Sequence, residues 1–317
     1  MQRDLRDANG VTEMPVRPRL IVDCDPGLDD AAAIAVAARY ADLVGVTTVG
    51  GNAPLASVTR NALLTLQVLG VDVDVHSGAE RPLVAPMRHA PEVHGEDGFA
   101  GPQLPPLGRR VASESAVEYI IETVKGEEGL WLVAVGPLTN IALALRLMPS
   151  LATKVQGISI MGGSATSGNA TAAAEFNILV DPEAASAVLS SGAQILMAGL
   201  DLTHQFVVDD WLSAKVAAVG TPTALMLSDL MNDFLDKVER RRGERKGGLH
   251  DPVAVMAITH PDLIEHRLRR VDVELTGTHT RGMTVVDQRL GSASNANVHH
   301  GYRLDYDRAV EVLLSSL

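Results

Sequence analysis

Short apolar, β-branched runs alternate along the chain with longer segments of helical spacing. Leu20-Ile21-Val22 is continuously apolar, as a strand buried on both faces must be, and the alanine-rich run Ala31 to Ala38 behind it predicts a helix. Leu43 to Val49 predicts a second strand ending in Gly50-Gly51-Asn52, Pro54 to Leu69 a helix, and Val73 to His76 a short third strand. Helices are predicted over Ala112 to Lys125, from Gly136-Pro137-Leu138-Thr139-Asn140 to about Met148, and behind Asp181-Pro182-Glu183 with Asp181 as N-cap. Strands are predicted at Leu130 to Val135, Ile158 to Met161 and Gln194 to Leu200, and helices from there to about Lys237. A helix follows His250-Asp251-Pro252. Val271 to Thr276 and Met283 to Asp287 predict a late antiparallel pair, Asn297 to Leu304 a further strand, and Arg308 to Leu314 a closing helix. Strand and helix alternating at this spacing predict an α/β protein with a parallel sheet and right-handed crossovers. Sites in such sheets lie outside the carboxyl ends of the strands.

Three stretches break the pattern. Met1 to Pro18 is charged and lacks an apolar core segment, so it is expected to be a disordered lead-in at 1–18 and not a signal peptide. Arg81 to Arg109 is rich in proline and glycine and predicts a long loop carrying His94-Gly95-Glu96-Asp97-Gly98. Glu239 to Lys246 is strongly charged before Gly247-Gly248, which predicts a solvated helix end or a mobile loop. No repeat or linker divides the rest, so 19–317 is expected to be a single domain.

Composition narrows the function. The 317 residues carry a net charge of -12, which disfavours binding to a nucleic-acid backbone and leaves a small molecule as the natural partner. No apolar run approaches transmembrane length, so no membrane role is expected. The single cysteine, Cys24, excludes an internal disulfide and fits a reducing cytoplasm. It is expected to point into the sheet packing, away from its acidic neighbours.

The chemistry concentrates in Asp23-Cys24-Asp25-Pro26-Gly27-Leu28-Asp29-Asp30, where four carboxylates fall within eight residues of a strand-to-helix turn. One aspartate at such a turn would ordinarily cap the helix. Four repel one another and raise one another's pKa, a conflict that a bound cation removes. Oxygen-only ligands suit Ca²⁺ or Mg²⁺.

Seven motifs then follow in order: DCDPGLDDAAAI, GGNAPL, HGEDGFAGP, GPLTNIALAL, MGGSATSGNATAAAEFNILVDPEAA, GLDLTH and HDPVAV. Together they resemble the inosine–uridine-preferring nucleoside hydrolases, from about Leu20 to the C-terminus. The resemblance implies an open α/β fold with a mostly parallel central sheet flanked by helices. It implies hydrolysis of the N-glycosidic bond of ribonucleosides to ribose and free base, with one Ca²⁺ per subunit, in a homodimer or homotetramer. It implies Asp25, Asp30, Asp251 and the carbonyl of Val135 as metal ligands, and Asp25 also as the general base that takes a proton from the attacking water. Asp29 and Asn52 correspond to contacts with the ribose hydroxyls, and Met161, Asn169, Glu175 and Asn177 to further ribose-pocket residues. His250 matches a histidine that assists the leaving base, and His94 one near the base.

Blander roles compete with several of these. His250 could be a structural histidine, Asn169 and Asn177 could satisfy loop backbone, and Glu175 could be a surface charge. The resemblance also has a gap. Relatives often carry aromatic or amide residues against the nucleobase between 236 and 248, whereas this segment reads Lys237-Val238-Glu239-Arg240-Arg241-Arg242-Gly243-Glu244-Arg245-Lys246, with no aromatic. The base preference therefore stays open, and the segment Glu239 to Gly248 is expected to be mobile and to close over the base side. Two other functions compete: a non-enzymatic ribose- or nucleoside-binding protein, and a Mg²⁺-dependent phosphatase of the haloacid dehalogenase kind. The second lacks the Asp-x-Asp-Gly-Thr continuation and leaves Asn52, Asn177 and His250 unexplained.

Overall fold

The first strand explains most of the architecture. In β1 (Arg19–Cys24) every residue after Arg19 is buried, because the strand lies inside the sheet and helices cover both of its faces. Leu20, Val22 and Cys24 pack into one apolar layer and Ile21 into the other, as alternation along a strand requires. The first layer is supplied chiefly by the helices Leu28–Tyr40, Leu55–Leu69, Pro222–Arg242, Asp251–Thr259 and Tyr306–Ser315. The second is supplied by Ala116–Gly126, Thr139–Leu147 and Pro182–Leu189. The computed structural model describes residues 17–99, 105–289 and 295–317. The expected lead-in over 1–18 thus lies outside the described residues except for Arg17 and Pro18.

The other strands are β2 (Asp42–Thr48), β3 (Val75–Ser77), β4 (Leu130–Ala134), β5 (Gly157–Met161), β6 (Ile195–Ala198), β7 (Val207–Asp209), β8 (Lys246–Gly248), β9 (Ile264–Arg269), β10 (Val271–Val273), β11 (Thr284–Val286) and β12 (Val298–Leu304). Seven of them join β1 in one eight-stranded sheet in the order β3-β2-β1-β4-β5-β6-β12-β9. All neighbours in it are parallel except β9, which runs antiparallel to β12 at the edge. This is the open, mostly parallel α/β sheet. β10 and β11 form the late antiparallel pair, and β7 and β8 a second one. No helix among the described residues is long and apolar enough to cross a membrane.

Helix Leu28–Tyr40 shows why alanine dominates there. Ala31 to Ala37 are all buried, and small side chains let the helix sit close to β1 on one side and to helix Asp251–Thr259 on another. That second helix carries Asp251 at its first position, so this packing brings the two acidic segments together. Cys24 is fully buried, its Sγ 3.4 Å from the carbonyl of Thr47, and burial pushes its thiol well up. That is a packed, unreactive thiol.

The charged segment begins as the helix end that is one of its two expected forms. The helix continues to Arg242 and stops at Gly243 in the left-handed conformation (φ 75). Basic residues in a last turn complement the helix dipole, so Arg240 to Arg242 extend the helix that composition alone would have ended. Arg245 then bridges Asp210, Asp236 and Glu239, and Lys246–Gly248 pairs with β7. The segment is a helix end and a strand, not an open loop. Within the long segment 81–109, Pro91–His94 forms a short helix.

Asp181 caps its helix as predicted, accepting from the Ala184 amide at 3.0 Å. Its other oxygen accepts from the Leu83 amide at 2.9 Å and the Thr139 hydroxyl at 2.7 Å. One buried carboxylate thus ties a loop, a cap and the start of another helix. Asp181→Ala is expected to cost about 3 kcal/mol or more, read from the midpoint of urea unfolding. A loss under about 0.5 kcal/mol would show that these bonds add nothing net.

Candidate active site

The acidic turn is built by its own side chains. Asp30 reaches back from the first helical turn, its oxygens accepting from the amides of Asp25 and Gly27, both at 2.9 Å. That is the reach-back half of a capping box. Asn52, at the end of β2, binds the two strand ends together. Its amide donates to Asp25 Oδ2 at 2.7 Å, and its Nδ2 donates to the Asp25 carbonyl at 3.1 Å and to Asp30 Oδ2 at 3.4 Å. A Cβ on Gly51 would stand 1.9 Å from Asp25 Oδ2, and one on Gly136 would stand 2.6 Å from Asp25 Oδ1. Asp25 therefore sits in a cradle that only glycines leave open.

Asp25 Oδ1 is buried with no hydrogen-bond partner. Asp29, Asp30 and Asp251 each offer an oxygen within 4.8 Å of the others. Burial, and then the repulsion among them, pushes these carboxyls up: Asp30 to about 7, and Asp25 and Asp251 well above their ordinary range. Asp29, where burial again leads, is held down in part by His250. Crowded, desolvated carboxylates and an orphaned carboxylate oxygen are what a hard cation resolves, and the donor set is all oxygen. Asp23 turns one oxygen to the protein and leaves Oδ2 buried without a partner. Its Oδ1 accepts from Thr47 Oγ1 at 2.6 Å and Asn140 Nδ2 at 2.8 Å, and burial raises it to about 7.

A cavity of about 390 Å³ opens above this cluster at the carboxyl ends of β1, β2, β4 and β5. That volume lies in the range of small-molecule pockets, roughly 300–1,000 Å³. Asp29, Asn52, His94, Val135, Met161, Asn169, Glu175, Asn177, His250 and Asp251 all line it, while Asp25 and Asp30 lie buried beneath. Asn177 Nδ2 donates to the carbonyls of Val135 at 2.8 Å and Met161 at 3.1 Å. A carbonyl has two lone pairs, so the Val135 oxygen keeps one free. Glu175 is buried, not a surface charge: it caps the short helix Phe176–Val180 by accepting from the amides of Asn177 and Ile178, and it also accepts from Gly163. Asn169 Oδ1 accepts from the Phe176 amide at 2.9 Å.

His250 leaves helix Asp251–Thr259 at its N-terminal end, with Nδ1 2.7 Å from Thr203 Oγ1 and its ring edge-on to His204 at 5.5 Å. Burial pushes it down to about 4, partly offset by Asp29, so it is neutral at pH 7. A Thr203 hydroxyl that donates to Nδ1 leaves the ring proton on Nε2. His94 packs against Gly27, and burial together with Lys237 takes it to about 4.

Sequence reasoning passed over Thr203, His204 and Phe234. The first two end the GLDLTH motif, so a signal was present, but nothing local says that they meet His250. Phe234 shows only in the fold, where Gly247 has no Cβ and lets the aromatic ring approach.

Nearly the whole chain resembles known nucleoside hydrolases in sequence and fold. The family model described as inosine-uridine preferring nucleoside hydrolase matches residues 20–311. The pyrimidine-specific ribonucleoside hydrolase RihB of Escherichia coli is 39% identical over 292 residues, covering 91% of this chain and 93% of its own. The inosine-uridine preferring nucleoside hydrolase of Leishmania major is 40% identical over 297 residues, covering 92% and 94%. Among solved structures, the purine-preferring ribonucleoside hydrolase from Gardnerella vaginalis superposes with a TM-score of 0.87 at 31% identity, covering 94% of this chain and 97% of that one.

Proposed function

The chain belongs to the inosine-uridine preferring nucleoside hydrolase family and is a ribonucleoside N-glycosyl hydrolase, and from that premise we propose that it works with one calcium ion and the residues gathered beneath its cavity. The observation that carries this reading is the orphaned Oδ1 of Asp25 beside the packed carboxylates of Asp29, Asp30 and Asp251. Asp25, Asp30, Asp251 and the carbonyl of Val135 would hold the ion. When bound, the ion lowers the pKa of water and fixes hydroxyl groups.

The chain's own residues do the rest. Asp25 Oδ1 has no competing donor within the chain, so it is placed to take the proton of the attacking water. Asp29 and Asn52 hold ribose hydroxyls. Met161, Asn169, Glu175 and Asn177 shape the ribose pocket, and the bonds of Glu175 to three backbone amides keep that wall rigid. As the C1′–N bond breaks, positive charge builds on the sugar, and the carboxylates beneath stabilise it. The bonding pair leaves with the base, and His250 Nε2 supplies the proton or hydrogen bond that the base needs, with His94 near the base. The working unit on this reading is the single domain 19–317, a cytoplasmic homodimer or homotetramer. The family resemblance and the buried reduced cysteine support it.

A panel of purine and pyrimidine nucleosides tests the proposal, with release of reducing sugar as the readout and calcium present or chelated. Ribose should appear only with calcium present, and no release from any nucleoside would sink the reading. Buried polar groups left unpaired are costly. A 2′-deoxynucleoside should therefore be cleaved at least ~100-fold less efficiently than its ribonucleoside. Equal efficiency would mean that Asp29 and Asn52 do not hold the ribose hydroxyls.

A further inference from the structure

One wall of the cavity is cationic, lined by Lys237, Arg241, Arg242 and Lys246. Helix Pro222–Arg242 turns one stripe toward the cavity, Phe234, Lys237, Val238, Arg241 and Arg242, at spacings of three and four. Phe234 and Val238 give apolar surface, and the other three carry positive charge. Lys237 is mostly covered and pairs with Asp233 at 2.5 Å. Lys246, on the facing strand, pairs with Glu244 at 2.8 Å. Arg241 and Arg242 have no hydrogen-bond or ion-pair partner among the described residues. The nearby acids are already engaged, since Asp210, Asp236 and Glu239 all converge on Arg245.

Arginines in a last helical turn ordinarily complement the dipole. Arg240, which faces Asp236, fits that description. Arg241 and Arg242 line a cavity wall instead, and the acid Glu92 lines the same cavity. Arg242 lies close enough to His204 to disfavour its protonation, and Lys237 does the same to His94. Two of the cations therefore stand beside His204 and His94.

We propose that this wall receives a nucleobase that is itself anionic at neutral pH, such as one bearing a ring carboxylate, with the guanidiniums of Arg241 and Arg242 as its receptors. The proposal rests on the hydrolase reading for orientation: sugar at the carboxylates, base at His250. A guanidinium matches a planar carboxylate with two parallel hydrogen bonds, which neutral uridine cannot use. A phosphate on the sugar would enter with the ribose and, in this orientation, lie away from the two guanidiniums.

The test compares uridine, 5-carboxyuridine and uridine 5′-monophosphate on the calcium-loaded enzyme, by steady-state kinetics and by calorimetric binding. The expected kcat/KM for 5-carboxyuridine is at least about tenfold above that for uridine at low ionic strength, narrowing as salt rises. The ratio should fall by about tenfold or more in the Arg241→Gln, Arg242→Gln double variant. Equal efficiencies, a ratio that the double variant leaves unchanged, or a preference for the 5′-monophosphate would each overturn the proposal while leaving nucleoside hydrolysis standing. If no nucleoside is cleaved, the hydrolase reading fails, and the binding ratio decides this proposal by the same tenfold criterion.

Discussion

His250→Ala is expected to slow the hydrolysis of natural ribonucleosides by roughly 10²–10⁴-fold while largely sparing a 4-nitrophenyl riboside. A nucleobase leaves poorly as an anion, whereas nitrophenolate leaves readily and needs little help. The structure refines how that help is given. Burial keeps the ring uncharged at pH 7, and Thr203 holds Nδ1 at 2.7 Å. With the Thr203 hydroxyl donating to Nδ1, the resting group in the proposed mechanism is a neutral donor at Nε2, and its proton moves only as negative charge gathers on the base. Asp25→Ala should slow both substrates, because water activation is common to them. Parallel kcat/KM measurements on the two substrates decide the matter. Equal losses for His250→Ala would make the histidine a structural support for Asp251, and full retention on both would make it a bystander.

Asp30→Ala is expected to abolish tight calcium binding. It should lower the stability of the calcium-loaded protein by about 4 kcal/mol through lost linkage, for free calcium a thousandfold above Kd. About 2–4 kcal/mol more follows from the buried amides of Asp25 and Gly27, which lose their acceptor. Asp30→Asn separates the two contributions, since its single carbonyl oxygen keeps part of the capping while the charge is gone. Scanning calorimetry with calcium and with chelator reads both. Full calcium occupancy in Asp30→Ala would remove Asp30 from the ligand set. Calcium binding needs ionised carboxylates, and burial holds Asp30 at about 7 in their absence. The affinity should therefore climb between pH 5 and pH 8 with release of protons.

The parts of this molecule that could be read from its residues are those where burial is continuous or a motif is long. β1, β2, β4 and β5 are apolar on both faces and declare themselves. β9 does not, because Ile264-Glu265-His266-Arg267-Leu268-Arg269 is an edge strand with polar positions facing out, which reads as surface. β8 is Lys-Gly-Gly, a strand by pairing and not by propensity. The acidic turn was legible from spacing alone, as was the Asp181 cap. The bonds from Asn177 to Val135 and from Thr203 to His250 join residues more than forty positions apart, and local pattern carries no trace of such pairs. Glu175 reads as a loop charge until the fold wraps three amides around it.

The two walls of the cavity belong to different parts of the architecture, and that division bears on how the enzyme can change over generations. The carboxylates and amides proposed to hold the sugar stand at the ends of central strands, where a substitution disturbs the whole sheet. The cationic wall is carried by the last turns of one helix and by the β7–β8 ribbon outside that sheet. Substitutions at Arg241, Arg242 and Lys246 touch exposed side chains and cost little folding energy. A lineage can therefore swap its diet of nucleosides by rewriting a short helix end while the bond-breaking apparatus is inherited intact.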